Sequence, residues 1–89
     1  MQVDHEESVT EGIRARSSGF VNDHADIWVA AEEDGVLALG SGDPVLLFDA
    51  AADWLREDPE LRVVDVRWEQ QAAEPANVLR LRLGRRAAH

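Results

Sequence analysis

The chain has 89 residues, of which 45% are hydrophobic, with no cysteine and a formal net charge of −9. That describes one small domain with a modest core and no disulfide or thiolate to draw on. The sign of the charge opposes nonspecific DNA or RNA binding, which rests on phosphate neutralisation, and no apolar run approaches the ~18 residues of a membrane span.

All nine basic residues are arginine, which fits a high-GC bacterial genome, or a halophilic one, and an acidic, soluble surface. The opening MQVDHEESVTEG is polar and acidic, the opposite of a secretory leader, so a cytoplasmic location is expected. The charge is uneven. Residues 1–35 carry nine acids and two arginines, a net of −7, whereas residues 36–89 carry nine acids and seven arginines, a net of −2.

In chain order, residues 1–8 read as a disordered acidic tail, with His5 among Asp4, Glu6 and Glu7. Val9, Ile13 and Ala15 alternate with Thr10, Gly12, Arg14 and Arg16, a pattern that suits an edge strand over 9–16, although Gly12 weakens helix and strand alike. Ser17, Ser18 and Gly19 read as a loop. Asn22 to Asp26 is the densest polar cluster. Asp23, His24 and Asp26 there either gather a divalent cation or form a loop whose Asn and Asp bond their own backbone.

Ile27 to Ala31 and Val36 to Leu39 read as strands joined at Asp34-Gly35, because both positions of a tight hairpin turn need positive φ. A two-residue turn pairs Ala30 with Leu39 and Glu32 with Leu37, which puts Trp28, Ala30, Leu37 and Leu39 on one face. Gly40-Ser41-Gly42 resembles a phosphate loop only superficially. Asp43 sets a negative charge where a phosphate would sit, Pro44 removes a donor, and no lysine follows.

Asp43 and Pro44 instead mark a helix start, as N-cap and first-turn proline. The helix runs over about 44–58 and stops before Pro59. Its apolar stripe is Leu47, Phe48, Ala51, Trp54 and Leu55. Leu61 to Glu69 alternates, with Val64, Val66 and Trp68 on one side and Val63, Asp65, Arg67 and Glu69 on the other. Val78 to Leu83 alternates again. A hairpin that aligns Trp68 with Leu79 and Val66 with Leu81 also sets Asp65 opposite Arg82, a favourable charge pair. Residues 85–89 read as a frayed tail.

The expected architecture is α+β, a two-layer sandwich over residues 9–84. One helix packs on a four- to five-stranded, mostly antiparallel sheet in the order (β)-β-β-α-β-β. Such a sheet keeps one face uncovered, and contiguous apolar surface marks an interface, so a homodimer is one expected outcome.

No serine sits in a nucleophile elbow, and His24 alone among the histidines lies away from the ends, so a non-catalytic chain without a cofactor is expected. The leading expectation is protein–protein interaction with a partner of basic character. In size and charge this is analogous to immunity proteins, antitoxins and inhibitors that imitate nucleic acid. The contact residues expected are Asp23, Asp26, Glu32, Glu33, Asp34 and Trp68. The competing expectation is a small-ligand or divalent-metal domain centred on Asp23, His24 and Asp26.

Overall fold

The structure is a computed structural model that describes residues 5–24 and 26–85, with the side chains of 5–8, 18, 22 and 23 outside the described set. The elements are α1 (His5–Asp23), β1 (Trp28–Glu32), β2 (Val36–Ser41), α2 (Pro44–Arg56), β3 (Leu61–Gln70) and β4 (Asn77–Arg85). The class is α+β: two helices pack against one antiparallel four-stranded sheet, in the strand order β1-β2-β4-β3. β2 and β3 are therefore parallel to each other with β4 between them, a split β-α-β crossover over α2.

The first helix is the main departure from expectation. Residues 9–16 are not an edge strand and 17–19 are not a loop; both belong to α1. Residues 5–8, expected in the tail, begin the same helix, whereas residues 1–4 and 86–89 lie outside the described residues. Val9, Ile13 and Phe20 recur at helical spacing and are 3%, 2% and 5% exposed. Burial of that stripe on the sheet outweighs the poor helix propensity of Gly12, Ser17 and Gly19. Ser17 also satisfies its own hydroxyl by donating to the Ile13 carbonyl at 2.7 Å, the back-bond to residue i−4 that serine makes inside helices.

α2 starts where the sequence predicts. The Asp43 carboxylate accepts from the Val45 N–H at 2.9 Å, and Pro44 opens the first turn. Its buried residues are Leu47, Ala50, Ala51 and Trp54. Phe48, expected in that stripe, is 56% exposed, because the buried stripe runs through Leu47, Ala50, Ala51 and Trp54 and leaves it at the side. Both helices lie on one face of the sheet and clasp each other through Phe20 and Trp54, whose rings meet edge to face at 4.8 Å. The Arg16 guanidinium lies 4.1 Å from the Trp54 ring centroid and donates to the Trp54 carbonyl at 2.8 Å. Trp54 Nε1 is buried without an acceptor among the described residues.

The β1–β2 hairpin is one residue out of the expected register. Val29 pairs with Leu39, Ala31 with Leu37 and Glu32 with Val36, so Glu33 joins Asp34 and Gly35 in the turn. Asp34 and Gly35 do take positive φ, 66° and 72°. Instead of pairing across the hairpin, Gly35 is tied elsewhere. Its N–H donates to Thr10 Oγ1 at 2.8 Å and its carbonyl accepts from the Leu83 N–H at 2.9 Å. A one-residue slip exchanges faces. Small Val29 and Ala31 therefore lie under α1, and Trp28 turns to the opposite face, 46% exposed rather than in the core.

The β3–β4 hairpin has the expected register: Trp68 with Leu79, Val66 with Leu81, Asp65 with Arg82. A bulge between Val63 and Asp65 then shifts the pairing, so that Val63 faces Leu83. This corrects the simple alternation, because the extra residue returns Val63 to the helix-bearing face. No helix among the described residues is long and apolar enough to cross a membrane.

Candidate interaction surface

The expected contact residues do not converge. Glu33 and Asp34 are exposed at the turn that closes β1, and Asp26 is exposed before β1 begins. Glu32 is engaged within the fold: Arg80 reaches it with Nε at 3.0 Å and Nη2 at 3.4 Å, and also pairs with Glu69. These bonds, Glu32 first, push the Arg80 pKa above its ordinary value. Because Glu32 is on β1 and Glu69 on β3, Arg80 on β4 ties the two edge strands together across the uncovered face. Ala38, opposite Arg80 in the ladder, is small enough to lie beneath that side chain.

The same face holds a shallow concavity of about 310 Å³, lined by Glu32, Asp34, Val36, Asp65, Arg67, Arg80 and Arg82. Three acids and three arginines cancel there. The concavity favours neither an anion nor a basic partner by charge, and exposed pairs of this kind are worth about 0–1 kcal/mol.

His24, the centre of the expected metal cluster, faces inward to the helix pair. Its Nδ1 lies 3.1 Å from the Phe20 carbonyl, its Nε2 lies 3.1 Å from Asp53 Oδ2, and its ring stacks on Phe20 at 4.0 Å. The bond to His24, then that from Arg56, holds the Asp53 carboxyl below its usual range. The imidazole thus joins the end of α1 to α2. Asp23's side chain lies outside the described residues, and among the described residues no three His, Asp or Glu side chains gather to hold a metal ion. Ser41 Oγ accepts from the Asp43 N–H at 3.1 Å, so its hydroxyl, like that of Ser17, serves local backbone.

Trp68 stands apart from these groups, on the far edge of the sheet. It stacks on Phe48 of α2 with centroids 5.5 Å apart and ring planes 9° apart. Both rings stay open, Trp68 41% and Phe48 56% exposed, beside Val45 at 66% and Val66 at 55%. Every residue of β3 from Arg62 to Gln70 is exposed. Among the described residues β3 has no neighbour on its outer side, so half of its backbone donors and acceptors face away from the sheet. Its two sides differ in character. Val63, Val66 and Trp68 share the helix-bearing face with Phe48, whereas Asp65, Arg67 and Glu69 line the uncovered face.

Of the expected contact residues whose side chains are described, only Trp68 belongs to this surface. Phe48, Val45 and Val66 were not expected in it. The exposure of Phe48 follows from α2 sitting towards β2 rather than β3, a tertiary offset with no signature in periodicity. No family model, curated protein or solved structure matches the chain.

Proposed function

We propose that the chain is a non-catalytic protein that acts by protein–protein contact, and that the contact is made by the β3 edge together with its apolar flank. One observation carries the reading: an edge strand of ten residues is exposed along all but its first position, beside an open stacked aromatic pair. Free edges of this kind accept an added strand, with main-chain bonds supplying affinity and side-chain pockets supplying selectivity. Large exposed aromatics are the residues that dominate interface energy. The acidic groups near β1 act at most as a charged rim that affects encounter rate more than affinity.

A photo-reactive phenylalanine placed at Val66 tests the proposal, with the same group at Glu33 as the comparison. Irradiation in cells is expected to give discrete protein adducts from position 66 and none from position 33. Adducts from position 33 alone would return the contact to the acidic turn and overturn the proposal.

A further inference from the structure

We infer that the occupant of the β3 edge is a second copy of this chain, added antiparallel about a two-fold axis that passes beside Val66. The inference rests on the reading of β3 as the contact edge and names its partner.

The argument is one of register. When two copies of one strand pair antiparallel, the residue at the centre meets itself, and directly opposite residues share a face when the centre falls on a residue. Centring on Val66 sets Asp65 opposite the partner's Arg67 and, by symmetry, Arg67 opposite the partner's Asp65. Both are favourable cross-strand pairs. On the helix-bearing face Val66 meets Val66, with Trp68 of each copy one position further out on the same apolar side. Phe48 and Val45 of each copy then flank the seam.

The neighbouring registers fail on charge. Centring on Asp65 opposes two aspartates, and centring on Arg67 opposes two arginines. Centring between residues sets charged side chains against apolar ones. Centring on Trp68 pairs Arg67 with Glu69, but Glu69 already bonds Arg80.

Asp65 and Arg67 are by contrast loosely held. Their mutual contact is 3.7 Å, with side chains 51% and 77% exposed. Arg67 also has Arg80 as its β4 neighbour, a like charge, so an acid on its open side is favourable. The bulge at Val63–Asp65 bends the strand and ends the shared ladder there. A two-fold contact uses the β3 edge of both copies, which closes the assembly as a pair.

Sedimentation equilibrium of the full chain, from micromolar to millimolar concentration, is expected to show a mass rising towards twice the chain's 9.9 kDa. Arg67→Asp and Asp65→Arg should each weaken association by roughly tenfold or more, as two attractive pairs become repulsive. The double exchange Asp65→Arg with Arg67→Asp should restore it. Because the chain has no cysteine, Val66→Cys offers a second readout that does not depend on charge. Directly opposite positions lie about 4.5–5.5 Å apart at Cα, within disulfide reach, so this variant should oxidise to a covalent dimer while Gln70→Cys should not.

A wild-type mass that stays at one chain throughout, or charge variants that leave the affinity unchanged, or a double exchange that fails to recover it, would overturn the inference. If the wild type is monomeric while position 66 still cross-links to a different protein, the second-copy inference fails and the β3 reading survives. If position 66 cross-links to nothing, both fail.

Discussion

β1 and β3 are both edge strands of one sheet, yet the chain handles them in opposite ways. β1 has five residues, lies beneath α1, and ends in a turn bonded to Thr10 and Leu83. On its other face Trp28 packs beside Gly40, where an added Cβ would collide with the Pro75 ring and lie 3.1 Å from the indole. β3 has ten residues, and beyond the stack of Phe48 on Trp68 its apolar side stays open. Shortness and covering are two of the ways in which proteins protect an edge, and β1 uses both. β3 has only a bulge and a charged outer face. The difference teaches that residues buried around β1 set stability, whereas the exposed apolar residues of β3, such as Val66, contribute less to the fold and are open to serve contact.

The largest effect expected from breaking the covered side is that of Trp54→Ala. Trp54 is fully buried and meets Phe20 and Arg16 from α1. Its loss should cost about 3–5 kcal/mol, read by chemical denaturation, and a change below ~1 kcal/mol would mean that the two helices do not depend on each other. Gly35→Ala comes next. A Cβ there lies 3.0 Å from the Leu83 carbonyl oxygen and 3.3 Å from Val9 Cγ1 on a backbone at φ +72°. Positive φ together with that contact should cost about 2–3 kcal/mol. Thr10→Val keeps the shape but leaves the buried Gly35 N–H without its acceptor, a loss of about 1–2 kcal/mol. If Thr10→Val is neutral, α1 does not hold the turn of β1.

A smaller effect concerns pH. Hydrogen bonds with His24 and Arg56 lower the Asp53 pKa. A carboxylate depressed in the folded state adds stability above its unfolded pKa and loses it as pH falls through the folded value. Thermal melts should therefore show wild type above Asp53→Asn at neutral pH, with the gap closing below the usual carboxylate range. A gap that widens in acid would show that another group controls this helix contact. The smallest stability effect is expected at β3. Val66→Lys should change unfolding free energy by no more than about 0.5 kcal/mol while abolishing the contact at that edge.

How much of this was legible in the sequence differs element by element. Asp43 and Pro44 announce α2 because capping is local chemistry. The β3–β4 register is readable because charge and apolar alternation agree along both strands. α1 was hidden because Gly12, Ser17, Ser18 and Gly19 argue against helix locally, and only the spacing of Val9, Ile13 and Phe20 argues for it. The β1–β2 slip was unreadable because Gly35 is drawn to Thr10 and Leu83, residues 25 and 48 positions away. For the candidate surface, Trp68 was identifiable from its position near the end of an alternating run. Phe48 was not, since its periodicity is that of a core residue and only the placement of α2 leaves it open.

The central claim, that β3 rather than β1 is the contact edge, is tested most directly by residue-resolved amide hydrogen exchange followed as the protein is concentrated. The account predicts that amides of β3 on the side away from β4 gain protection with concentration, while those of β1 stay unchanged. Protection that appears at β1, or no concentration dependence at β3, would contradict it.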